Sequence, residues 1–186
     1  MKQGFVKVAS ATPRIRVADP VYNAQVICEQ AKEAAEHGAK IVVFPELCIT
    51  GYTCNDLFLQ ELLLEKAKEA LLTIAEETGQ LETLFLVGLP VDKDGRLYNV
   101  AAVLYRGRIL GMIPKKNIPM YAEFYEGRHF TPGEETVTEY RLGKQVIPFG
   151  SNLLFRCEEL PELILGCELC EDLWVAEPPS TSHALM

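Results

Sequence analysis

The sequence predicts an α/β fold in which helices pack outside a mixed β-sheet. Three observations carry that expectation. Stretches with the apolar period of a helix alternate with short β-branched runs, those runs are too apolar for solvated strands, and two hairpin turns join neighbouring strands in mid-chain. The 186 residues, 48% apolar and 24% charged, fit one globular domain, leave little room for two, and argue against disorder.

The first element opens at Asp19-Pro20, a cap followed by a proline at the first helical position. Val21, Ala24, Cys28, Ala31 and Ala35 continue it at three- and four-residue steps, so a helix is expected over 20–37, ending at Gly38. Lys40–Phe44 is a strand covered on both faces and stopped by Pro45-Glu46. Asn55-Asp56 is read as the cap of a second long helix, with Phe58, Leu62, Leu63, Ala67, Ala70, Leu71 and Ile74 as its apolar stripe and Gly79 as its end.

Leu84–Leu89 is another buried strand. Asp94-Gly95 and Arg106-Gly107 then separate Leu97–Tyr105 from its neighbours on either side, with Arg108–Ile113 as the third strand of two hairpins. Residues 114–136 hold three prolines and a cluster of aromatics and carboxylates, the pattern of a long loop with one short helix. Val146–Cys157 reads as one or two strands, Leu163–Leu169 as the last clear one, and Pro178-Pro179-Ser180 as a helix start that stops after barely a turn, so the chain is expected to be a fragment.

Charge and hydropathy remove several function classes. A net charge of -8 is the wrong sign for a protein that neutralises nucleic-acid phosphates or anionic lipid. The richest apolar run, 41–50, is broken by Pro45 and Glu46, so no membrane span is expected. Met1–Lys7 lacks the long apolar run and cleavage site of a leader, and the chain is read as starting at its native N-terminus in the cytoplasm with six reduced cysteines.

Three predicted strand ends carry a polar residue: Glu46, Lys115 and Cys170. Side chains converge beyond the carboxyl ends of strands in layered α/β sheets, which is where ligands bind. Glu46 is open to two readings. It is either a loop carboxylate that caps or pairs locally, or a partly buried base whose pKa rises between Val43-Phe44 and Leu47-Cys48-Ile49, a role worth roughly 10²–10⁴ in rate. Lys115, by itself, reads as a surface charge like Lys116.

Cys167 and Cys170 form a C-x-x-C with no second pair, and Cys28, Cys48, Cys54 and Cys157 lack zinc-ligand spacing. On a strand the two thiols would face opposite ways, which disfavours a shared metal, and small core thiols are the simpler account of most of the six. Cys170 differs because Glu171-Asp172-Leu173-Trp174 follows at once as a polar turn. His37 belongs to a helix end, His183 to the last residues and His129 to the long loop, so a carboxylate base fits at least as well as an imidazole.

Three segments can now be set side by side: Phe44-Pro45-Glu46-Leu47-Cys48-Ile49-Thr50-Gly51-Tyr52, Pro114-Lys115-Lys116-Asn117-Ile118-Pro119 with Tyr121-Ala122-Glu123-Phe124-Tyr125-Glu126, and Gly166-Cys167-Glu168-Leu169-Cys170-Glu171-Asp172-Leu173-Trp174. They resemble the Glu-Lys-Cys motifs of the nitrilase superfamily of carbon–nitrogen hydrolases. The closer likeness is to its branch of N-terminal glutaminase domains in glutamine-dependent NAD+ synthetases, and it runs through nearly the whole chain.

The resemblance implies an α-β-β-α sandwich with mixed β-sheets, here truncated at the C-terminus. It makes residues 1–186 an incomplete glutaminase domain, with the synthetase domain absent. It implies Cys170 as nucleophile, Glu46 as general base, Lys115 as the cation meeting the oxyanion, and Glu126 as the family's second glutamate. Tyr121, Phe124 and Glu171 fall where that branch lines its glutamine pocket. No cofactor or metal is implied for amide hydrolysis, whereas ATP and Mg2+ are implied for the absent synthetase domain, which would be the partner in making NAD+.

Asn117 and Ile118 depart from the family, where many relatives show an aromatic or histidine followed by leucine. Absent strands would leave an open edge and exposed apolar surface, so homo-oligomers are expected. Two alternatives share these residues: a stand-alone amidase acting on a small amide, and an inert interaction fragment.

Overall fold

The computed structural model describes residues 4–186. The reading of the N-terminus rests partly on residues 1–3, which lie outside the described residues. A seven-stranded mixed sheet organises the chain, in the order β1 (Val8–Ser10), β2 (Ile41–Val43), β3 (Leu84–Lys93), β4 (Arg96–Tyr105), β5 (Arg108–Pro114), β7 (Gln145–Phe149), β6 (Thr138–Leu142). β1, β2 and β3 are parallel, β3–β4–β5 antiparallel, and β7 runs parallel to β5 and antiparallel to β6.

Local chemistry explains the best-defined elements. Helix α1 (Pro20–Glu36) begins where the Asp19 side chain accepts from the Tyr22 N–H, with proline at the first position where no N–H is needed. Both hairpins turn on consecutive left-handed residues, Asp94-Gly95 at φ 52° and 75° and Arg106-Gly107 at 47° and 76°, whose twist matches the strands they join.

Along β4, Val100, Ala102 and Leu104 point to the helix side, where they join Ile27 and Ala31 of α1 and Leu71 and Ile74 of α2 (Glu61–Glu77). Ala101 and Val103 point the other way, onto Ile113, Leu153, Phe155, Cys167 and Leu169. The helices therefore cover one face. The described residues supply the other with the two-stranded ribbon β8 (Phe155–Arg156) and β9 (Ile164–Leu165), followed by the short α3 (Pro179–Leu185).

Several sequence expectations need correcting. Asn55 and Asp56 do not cap α2. Asn55 takes φ 51°, residues 55–59 form a 3-10 turn that buries Phe58, Gln60 is extended, and the helix starts at Glu61. The two polar side chains are used for tertiary ties instead, Asn55 Oδ1 accepting from the Tyr125 hydroxyl and Asp56 from Arg128 and His129. Leu62 is 65% exposed, so the apolar stripe runs through Leu63 without it.

The strand expected over Leu163–Leu169 is only two residues long. Among the described residues it pairs with β8 alone; beyond Leu165 the backbone turns away, and the Leu169 N–H is taken by the Asp172 carboxylate rather than by a strand. β1 and β6 are strands that the sequence reading does not contain.

Candidate active site

Glu46 sits just past β2 in a turn held against β3. The Phe44 N–H reaches Leu86 O at 2.9 Å, the Ile49 N–H reaches Gly88 O at 3.1 Å, and Leu47 takes φ 52°. A Cβ at position 88 would lie 2.3 Å from Leu47 N and 2.9 Å from Pro45 O, so glycine there lets the turn rest directly on the strand. Cys48 is in this packing, its thiol pushed by burial to about 12, and behaves as a core residue.

Lys115 follows β5 directly. Its N–H is bound by Asn99 O at 2.8 Å and its carbonyl accepts from Gly133 N at 2.7 Å, which fixes the backbone on both sides. The side chain is fully buried, and its Nζ donates to Glu46 Oε1 at 2.7 Å and to both carboxylate oxygens of Glu126 at 2.8 and 3.0 Å. Burial alone would lower the lysine's pKa, yet Glu46 and Glu126 outweigh it and hold the ammonium above its ordinary value. The surface-charge reading of Lys115 is thus overturned.

Glu126 opens a one-turn helix (Glu126–Arg128) in the long loop, 6% exposed, and accepts from the Tyr52 hydroxyl at 2.7 Å. That turn is strapped to residues 55–59 by a bidentate Arg128–Asp56 pair at 2.8 and 3.0 Å and by Phe58 edge-on to Phe130. Burial, with the hydrogen bond to Glu126, raises the Tyr52 hydroxyl above the usual tyrosine range, so it remains a donor.

Cys170 starts the 3-10 turn Cys170–Leu173 at φ 44°, a left-handed conformation that is unfavourable for a residue with a Cβ, and it is exposed. Burial of its sulfur by neighbours raises the thiol pKa first. Glu46 raises it next, Lys115 opposes, and Glu126 and Glu171 add to the rise. Four sequence-predicted groups, Glu46, Lys115, Glu126 and Glu171, therefore bear on this thiol. A thiol raised in this way is largely protonated at neutral pH and needs a base to become a nucleophile.

Asp172 links this turn to the end of β5. It is 1% exposed and accepts from Leu169 N at 3.1 Å, Asn117 N at 2.7 Å and Asn117 Nδ2 at 2.8 Å. Asn117, the departure beside Lys115, thus has a use: its side-chain amide ties this segment directly to Asp172. Tyr121 donates to Glu171 Oε2 at 2.7 Å and packs edge-on to Phe124, ring centroids 5.8 Å apart, so these three also converge, beside Cys170.

Sequence reasoning misses three members, Tyr52, Asn99 and Asp172. Asn99, buried on β4, donates to Glu46 Oε1 at 2.7 Å; its signal is a polar residue inside the apolar run 97–105. Asp172 is hidden in an acidic pair. Among the described residues no three His, Cys, Asp or Glu side chains gather as a metal's ligands, and no helix is long and apolar enough to cross a membrane.

Residues 7–183 match the carbon–nitrogen hydrolase family. The chain is 40% identical over 184 residues to the glutamine-dependent NAD+ synthetase of Mycobacterium tuberculosis, covering 99% of this chain and 27% of that protein. With its counterpart in Thermotoga maritima the identity is 32% over 185 residues, 100% of this chain and 28% of that protein. The chain thus spans little more than a quarter of the curated relatives it matches. Among solved structures, the glutamine-dependent NAD+ synthetase of Cytophaga hutchinsonii superposes with a TM-score of 0.82 at 29% identity, covering 89% of this chain and 28% of that one. An amidase from Nesterenkonia shares the fold at a TM-score of 0.58 and 24% identity, covering 77% of this chain and 54% of that one.

Proposed function

The chain belongs to the carbon–nitrogen hydrolase family and has its nitrilase-like α/β fold; from that premise we propose that it is the glutaminase part of a glutamine-dependent NAD+ synthetase. In this reading it hydrolyses the side-chain amide of glutamine in the cytoplasm and supplies ammonia for amidation of nicotinic acid adenine dinucleotide. The observation that carries the reading is the fully buried Lys115 ammonium, clasped between Glu46 and Glu126. The glutamine dependence of the relatives adds the substrate.

Each step follows from charge and proton balance. Glu46 takes the thiol proton as the Cys170 sulfur attacks the amide carbon. The carbonyl oxygen becomes an oxyanion facing Lys115, a contribution of roughly 3–4 kcal/mol per donor in comparable sites. Glu46 then returns the proton to the amide nitrogen, the carbon–nitrogen bond breaks, and ammonia leaves a glutamyl thioester. Water attacks the thioester, gives its proton to Glu46, and the released thiolate recovers that proton. Glu126 keeps Lys115 charged and oriented. Tyr121, Phe124 and Glu171 form the side of the pocket that receives the glutamine backbone, with Glu171 positioned to take its ammonium.

Hydrolysis so written uses no cofactor. ATP and Mg2+ would serve amidation on a synthetase domain, the partner in this reading. The test is Cys170→Ala in the intact protein: glutamine-driven NAD+ synthesis is lost while ammonia-driven synthesis survives. Retained use of glutamine refutes the assignment.

A further inference from the structure

Two acidic side chains, Glu46 and Glu126, share the one Lys115 ammonium. Tyr52, from the loop after Glu46, donates to Glu126. Glu46 has a different neutral donor: Asn99 Nδ2 at 2.7 Å, with a longer approach of 3.5 Å to Glu126 Oε2. The other groups around the pair are the Cys170 thiol and Glu171, whose carboxylate is engaged by Tyr121.

Asn99 is 0% exposed, and its Oδ1 is buried with no hydrogen-bond partner among the described residues. Turning the amide over would set that oxygen against two carboxylates. The orientation with a stranded acceptor is therefore the one the acids impose, and a stranded buried acceptor is costly. A residue kept only to fill space in β4 would not carry that cost; an apolar side chain of similar size would serve better. The same residue's backbone carbonyl holds the Lys115 N–H at 2.8 Å, so one position controls both the cation and the acids.

We propose that Asn99 is a positioning residue that, by donating to Glu46 and Glu126 together, gathers both acids on one lysine. Glu46 is thereby held against Lys115. This deepens the amide-hydrolysis reading but does not need it, because the ionisation of the pair can be followed directly.

The experiment is infrared titration of protonated carboxyl groups in the intact protein, with Glu46→Gln and Glu126→Gln identifying the bands of the pair. Asn99→Leu removes both donors at similar volume, and the midpoint of the pair is expected to rise by about one pH unit. An unmoved midpoint in a folded Asn99→Leu protein overturns the proposal. Asn99→Asp keeps the shape and covers the case in which leucine prevents folding. The introduced carboxyl is then expected to stay protonated at neutral pH, and its ionisation in the ordinary acid range also overturns the proposal.

Hydrolysis of glutamine supplies an independent arm. The acid limb of its kcat/KM profile should move up with the infrared midpoint in Asn99→Leu, with the alkaline limb in place. A shifted midpoint in a protein that hydrolyses no glutamine leaves Asn99's role intact and removes the hydrolysis reading. An unshifted acid limb in an active protein removes the role of Asn99 alone.

Discussion

Lys115 Nζ stands 2.7 Å from Glu46 Oε1 although 69 residues separate them, and its side chain is wholly withdrawn from water. Such an ion pair is not in itself a source of stability, since desolvation offsets the attraction. Removing the cation alone is different, because it leaves two buried carboxylates facing one another.

Lys115→Met is therefore expected to destabilise the fold by about 3–5 kcal/mol at neutral pH in denaturant titration. The deficit should shrink in acid, where the abandoned carboxylates protonate. In the parent protein, the folded lysine pKa lies above the ordinary value of 10.5, so its contribution is fully present below 10.5 and is lost as pH rises through the higher folded value. A deficit that grows in acid contradicts the ion-pair account.

Cys170 offers a test of sign. Because Glu46 raises the thiol pKa, Glu46→Gln should increase the thiolate fraction and speed alkylation of Cys170 by iodoacetamide at mildly alkaline pH, while amide hydrolysis falls by roughly 10²-fold or more. Peptide mass spectrometry reads the first rate and ammonia release the second. Slower alkylation in the variant would mean that the carboxylate does not act on the sulfur as described.

What the sequence makes legible is largely what is locally determined. Asp19-Pro20 and the two Asp/Arg-Gly turns act through their own backbone, and α1 and both hairpins fall where those residues put them. Elements defined by distant partners are harder to read. β1 is three residues held by pairing with β2, and β6 is a polar-faced strand that exists through its pairing with β7. Asn55 and Asp56 have the chemistry of helix caps, but tertiary partners in the loop at 125–129 claim them. The site divides the same way: Glu46, Lys115 and Cys170 stand out as polar ends of apolar runs, whereas Asn99 and Asp172 matter through whom they touch.

Asp172 accepts from Lys116 N, Asn117 N and Asn117 Nδ2, which joins the turn carrying Cys170 to the segment after Lys115, and from Leu169 N within its own turn. Asp172→Ala strands the Leu169 and Asn117 donors and is expected to cost about 2–3 kcal/mol of stability. In the folded fraction, kcat for glutamine hydrolysis should fall more than KM rises, because the sulfur loses its register with Lys115 and Glu46 while Tyr121 and Glu171 remain. A pure KM effect would place Asp172 with substrate binding instead.

Gly88 tests whether the Glu46 turn depends on close contact with β3. A methyl at 88 would come 2.3 Å from Leu47 N and 2.9 Å from Pro45 O, and both are backbone atoms that cannot rotate away. The turn must lift or the strand must bow, so Gly88→Ala is expected to destabilise by about 1–3 kcal/mol. Lifting the turn withdraws Glu46 from Lys115 Nζ, so activity should fall even where the variant remains folded. Glu126, carried by the loop strapped at Asp56, should keep its hold on the lysine. The variant thus separates the two acids: a folded Gly88→Ala protein with full activity would show that the 2.7 Å contact between Glu46 and Lys115 is dispensable.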